Sequence, residues 1–163
     1  MRTAADAYRM FAPAVLGYLR AQHVPDPEDV AGEVFLQVAR DLTTFDGDDD
    51  ALRRWVFTIA HHRMVDAHRR RTRRPVISGD EVPEQTSQPP PEPLDPVLIA
   101  ALDGLTEAQR EVVVLRFVAD LSVEEVARLT GRAEGAVKAM QHRALEHLSR
   151  LLAVSHERRR TLT

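Results

Sequence analysis

Apolar residues along the chain recur at three- and four-residue steps, and nowhere is there sustained alternation at a period of two. Tyr8, Phe11, Val15 and Tyr18 make the stripe of a first helix. Val30, Val34, Phe35, Val38 and Leu42 make the inward side of a second, leaving Glu33, Gln37 and Arg40 outside. Its start is marked by Asp26 as N-cap, Pro27 at the first helical position and Asp29 in the first turn, where the helix dipole favours an acid. A turn at Phe45-Asp46-Gly47 leads into Asp48, Asp49 and Asp50, which open a third helix. That helix runs through Leu52, Trp55, Val56, Ile59 and Met64 to Arg69-Arg70-Arg71, acids at its start and bases at its end.

Further on, Asp95-Pro96 repeats the cap-then-proline start. Thr106 with Gln109 and Ser122 with Glu125 form two capping boxes, each before an apolar pattern. Gly131 sits where a helix ends in a left-handed cap, and Val137, Ala144, Leu145, Leu148 and Leu151 line the buried side of a last helix. The chain reads as all-α. Seven of its ten prolines lie from Pro75 to Pro96, a stretch without helical or strand period and with the composition of an extended linker. The expected organisation is a helical unit over 1–74, a linker over 75–93, a second helical unit over 94–154 and a tail over 155–163. Each unit is small for an independent core.

Among the 163 residues there is no cysteine, which excludes disulfides, thiolate metal sites and cysteine nucleophiles. No apolar run approaches a membrane span, and the first twenty residues lack signal-peptide order, so the expectation is a cytoplasmic protein without membrane insertion. The net charge of −3 hides a strong segregation. Residues 25–50 hold nine acids and one arginine, whereas residues 51–74 hold eight arginines and one aspartate. Residues 75–103 have six acids and no base, and residues 130–163 have seven bases against three acids. Basic blocks of this kind are either phosphate-binding surfaces or plain solvated helix faces.

The segment from Ser122 to Leu148 is the most informative for choosing between those readings. A short capped helix (Val123 to Leu129), a tight turn at Gly131 and a longer helix with a basic face have the form of a helix-turn-helix. Its outward residues would be Glu134, Lys138, Gln141, His142 and Arg143, types that read base edges or hold phosphate. An ordinary helical hairpin remains the alternative at this point.

Leu105-Thr106-Glu107-Ala108-Gln109-Arg110-Glu111-Val112, Leu115-Arg116-Phe117, Leu121-Ser122-Val123-Glu124-Glu125-Val126-Ala127 and Gly135-Ala136-Val137-Lys138 closely resemble region 4 of the sigma-70 family. Asp29, Glu33-Val34-Phe35, Phe45, Trp55-Val56-Phe57-Thr58-Ile59-Ala60 and Asp66 before the arginine run resemble region 2. Only these two regions are present, which is similar to the extracytoplasmic-function (ECF) group. The resemblance implies a non-enzymatic initiation factor without cofactor. Its partners would be bacterial core RNA polymerase, promoter DNA and an anti-sigma protein. It implies that Asp29, Glu33, Gln37 and Arg40 face polymerase. Phe45, Trp55, His61, His62, Arg63, Arg69, Arg70 and Arg71 would serve the −10 element, the arginines as backbone contacts. Arg132, Glu134, Lys138, Gln141, His142 and Arg143 would serve the −35 element.

Some positions depart from the family's pattern. His62 stands where asparagine is common, Gly32 where glutamine is, and Ala133, Ala136 and Ala139 where Ser or Thr is frequent. Reading of the −35 element therefore leans on Lys138, Gln141 and Arg143 or on DNA shape. Two other classes stay open from the residues alone. His61, His62 and Asp66 include an i, i+4 pair that could ligate a metal, though no second cluster supports it. A stand-alone helix-turn-helix regulator would bind duplex DNA without polymerase.

Overall fold

A computed structural model describes residues 3–73 and 96–161. Seven α-helices follow one another among them: α1 (Ala4–Ala21), α2 (Pro27–Asp41), α3 (Asp49–Arg73), α4 (Pro96–Asp103), α5 (Glu107–Phe117), α6 (Val123–Thr130) and α7 (Glu134–Thr161). A single 3-10 turn, Leu42–Thr44, follows α2, and the described residues contain no strand. The proline-rich segment with Asp95 lies outside the described residues.

The first three helices pack on one another around Phe11, Val15, Tyr18, Leu19, Val34, Val38, Leu52, Val56 and Phe57, all buried. Tyr8 leaves the expected stripe: it is 42% exposed, its ring meeting Phe35 edge-on at 4.9 Å. In α1 the start is fixed by a capping box between Thr3 and Asp6 that the apolar pattern did not reveal. The Asp6 carboxyl is held down to about 2 by hydrogen bonds from the Thr3 side chain and backbone and by Arg9. At α2 the expected cap is corrected. Asp26 precedes Pro27 as read, but its backbone is left-handed (φ 50°) and its side chain makes no capping bond. The reversal from α1 to α2 takes that dihedral, and aspartate is among the few side chains that tolerate it.

The second half packs α5, α6 and α4 against α7. Both expected capping boxes form: Thr106 Oγ1 accepts from Gln109 N at 3.2 Å, and Ser122 Oγ from Glu125 N at 3.1 Å. Gly131 adopts φ 69°, the left-handed conformation that closes α6 at low steric cost. On α7, Val137, Ala144 and Leu148 are buried, whereas Leu145 is 40% exposed, a correction to the inward stripe. That helix also runs on to Thr161, through residues expected as a tail. The two halves touch: α1 packs against α4 and α5, and Arg110 and Glu111 are buried at the junction.

Candidate nucleic-acid interface

The outer face of α2 carries Asp29 and Arg40, both exposed, with Glu33 and Gln37 partly covered. Between them Leu36 is 67% exposed, an apolar residue that the inward stripe did not include. Glu33 and Gln37 are engaged by the arginines of α3. Arg63 donates to Gln37 Oε1 at 2.9 Å, and Arg63 and Arg70 lie 3.7 and 3.5 Å from the Glu33 carboxylate. Helical spacing places Glu33 and Gln37 one turn apart on α2, where they meet the arginines of the packed neighbour. Residues assigned from sequence to two different partners therefore hold one another.

The loop before α3 builds an aromatic step. Phe45 stacks on Trp55, centroids 5.0 Å apart and planes 22° from parallel. Glycine at 47 makes this possible: a Cβ there would come within 2.8 Å of the Phe45 ring and 2.9 Å of Ala51. Asp48 Oδ1 accepts from Ala51 N at 2.8 Å and so fixes the start of α3 beside the step. Trp55 is only partly buried, so it supports Phe45 while keeping an edge at the surface. Further along α3, His62, Arg69, Arg70 and Arg71 are exposed.

His61 does not share that exposure. It is 6% exposed, with Nδ1 3.0 Å from the Tyr18 hydroxyl and 3.2 Å from Glu111 Oε1. The other oxygen of Glu111 accepts from Arg132 at 2.6 Å. Burial raises the Glu111 carboxyl, yet the hydrogen bonds and charges of His61 and Arg132 outweigh it and leave its pKa below the ordinary value. Burial, and then the neighbouring Glu111 charge, push the Tyr18 phenol well up, so it stays neutral.

In the helix-turn-helix, α6 and α7 meet at the Gly131 turn. Glu134, Lys138 and His142 are exposed along one flank of α7, and Arg143 is exposed about 140° around the helix from Lys138. Gln141 is partly covered and accepts from Arg116 Nε at 2.8 Å, which orients its amide. His142 lies 3.6 Å from Glu146. Arg132 is drawn inward to Glu111 rather than outward along this flank. Among the described residues no group of three or more His, Asp or Glu is placed to hold a metal ion, and no helix is long and apolar enough to cross a membrane.

Sequence reasoning placed Tyr18 only in an apolar stripe and Glu111 only within a motif, and it did not single out Arg54 or His23; each joins the halves or holds a site residue. Glu111 stands before an apolar run in α5, and nothing local marks it as different from a solvated acid.

Comparison with known proteins bears on these surfaces. Residues 7–74 match Sigma-70 region 2, and residues 97–148 match Sigma-70, region 4. The chain is 34% identical over 142 residues to the ECF RNA polymerase sigma factor BldN of Streptomyces coelicolor, covering 83% of this chain and 54% of that one. It is 30% identical over 165 residues to the RNA polymerase sigma factor YlaC of Bacillus subtilis, covering 95% of each. The chain thus spans about half the length of the first and nearly all of the second. The sigma factor RpoE of Bartonella quintana, solved in complex with the anti-sigma factor NepR, superposes with a TM-score of 0.65 at 25% identity, covering 90% of this chain and 94% of that one.

Proposed function

The chain belongs to the sigma-70 family, and we propose that it works as an ECF-type sigma factor, binding core RNA polymerase and directing it to promoters through −10 and −35 elements. The observation that carries this is the presence, in order on one chain, of a region 2 match and a region 4 match whose last two helices form a helix-turn-helix. A stand-alone regulator needs only the second of these.

Asp29 and Arg40, with Leu36 as an apolar centre, supply the polymerase-facing surface of α2. Glu33 and Gln37 belong to it too, and their pairing with Arg63 and Arg70 keeps the face from being purely acidic. The Phe45–Trp55 step offers a platform on which an unstacked −10 base can lie, each base–aromatic stack contributing about 1–3 kcal/mol. His62, Arg69 and Arg71 reach phosphates beside it, and those contacts position the duplex without reading it. Lys138, Gln141 and Arg143 carry the −35 contacts in the major groove, with Glu134 and His142 at their margin. No residue is assigned a catalytic role, since bond formation belongs to the polymerase.

The factor acts in the cytoplasm, where its polymerase is. An anti-sigma protein is its natural inhibitor, by likeness to the RpoE–NepR pair. In-vitro transcription with core polymerase on a pool of genomic fragments, with sequencing of RNA 5′ ends, tests the proposal. Start sites that appear only when this chain is added support it; an unchanged set of starts refutes it.

A further inference from the structure

Arg116 stands at the end of α5 and is partly buried, and its guanidinium reaches two other parts of the helix-turn-helix unit. Nη1 donates to the Leu121 carbonyl, in the turn before the Ser122 cap, and Nε donates to Gln141 Oε1 at 2.8 Å. A guanidinium carries donors only, so the atom of the Gln141 amide that faces it is the oxygen. The bond is charge-assisted, about twice as strong as one between neutral groups. Gln141 lies about 60° around α7 from Lys138, at the margin of the flank that carries the exposed Lys138 and His142. We propose that Arg116 is a positioning residue for promoter reading. Holding the Gln141 oxygen inward, it leaves only the NH2 group for DNA and so sets guanine rather than adenine at one base pair of the −35 element. The proposal rests on the sigma-factor reading and deepens it.

The chemistry of the major groove supports this choice. A glutamine that recognises adenine uses both ends of its amide, accepting from N6 and donating to N7. With Oε1 turned to α5 the accepting end is taken, and the adenine amino group would meet another donor. Guanine instead offers two adjacent acceptors, N7 and O6, to the hydrogens of the NH2 group. Turning the amide over would set its NH2 against the guanidinium N–H, so the orientation persists when DNA arrives.

The test uses the full chain with core polymerase and a promoter pool randomised across the −35 element, read by sequencing barcoded RNA. The parent is expected to prefer guanine over adenine about tenfold at one position. In Arg116→Met the amide is free to turn, and that preference disappears while the other −35 positions keep theirs. Gln141→Glu keeps an acceptor for Arg116 but has no donor, so guanine is lost at the same position and cytosine, whose N4 donates, gains. A uniform fall in transcription with an unchanged base profile in Arg116→Met would mean that the residue only braces the unit, and overturns the proposal. So does a Gln141→Glu profile equal to the parent's, at a melting temperature that shows the variant folded. Where the parent redirects no initiation, the sigma-factor reading falls, and the same base ratios, taken from duplexes selected by the chain alone, decide for Arg116.

Discussion

Phe45 lies flat on Trp55, 5.0 Å between ring centroids, and the space it occupies is the space a side chain at position 47 would need. The aromatic step at the start of α3 is therefore a property of three residues, one of them a glycine.

Gly47→Ala should displace Phe45 from Trp55 without touching the core of the first half. Trp55 is the sole tryptophan, so its emission reports the displacement directly. Promoter melting, followed with 2-aminopurine at the −10 element, should slow about tenfold, the equivalent of one base stack removed. Core polymerase affinity should be unchanged. Melting at the parent rate with a shifted tryptophan spectrum would separate the step from base capture.

Charge reversal on the helix-turn-helix should act locally. Lys138→Glu with Arg143→Glu is expected to reduce use of −35-dependent promoters at least tenfold, as each good base or phosphate contact is worth about 1–3 kcal/mol. Affinity for core polymerase, measured by fluorescence anisotropy, should stay within twofold. Equal loss of both would mean that these two positions of α7 face polymerase.

Replacing Arg69, Arg70 and Arg71 by alanine should flatten the salt dependence of promoter binding by the polymerase complex. Every arginine–phosphate pair removed lowers the log–log slope by about 0.9, because one fewer counterion is released on binding. Arg70 also pairs with Glu33, so its share of the change should be the smallest. A slope equal to the parent's would remove all three from the interface.

Acid should unfasten two named sites. The carboxyls of Asp6 and Glu111 lie below their ordinary values of 3.8 and 4.5, so each stabilises the fold fully above those values and loses that contribution as pH falls through its depressed native pKa. For Asp6 the window is between about 3.8 and about 2. Protection of the first-turn amides of α1, taken relative to the intrinsic exchange rate at each pH, should fall there, and Asp6→Asn should already lack it at neutral pH. Glu111→Gln should lower the urea midpoint near pH 7, and the difference from the parent should shrink as pH drops below 4.5. A constant difference across that range would show that Glu111 contributes by shape alone.

Removing the hydroxyl cap of α6 should destabilise the second half modestly. Ser122→Ala is expected to cost about 1 kcal/mol, read as a lower melting temperature, with the binding of polymerase to the first half preserved. No change in melting would make Glu125 the dominant member of that box.

What could be read from the chain alone was what depends on neighbours within about four residues. Helix type follows from apolar spacing, the two boxes at Thr106 and Ser122 from side chains three apart, and the Gly131 cap from the one residue type that takes φ 69° at low steric cost. The order of two motif sets was legible for the same reason, since a motif is a short run. Only the folded arrangement decided that His61 is buried while His62 is exposed, that Arg63 turns to Gln37 across 26 residues, and that Tyr18 reaches His61 across 43. Asp26 shows the limit even locally, because the path of the chain between α1 and α2 overrode its side chain's preference for capping. Where a charge ends up depends on what the other helices bring to it, and Glu111 meets His61 only because α5 closes on α1 and α3.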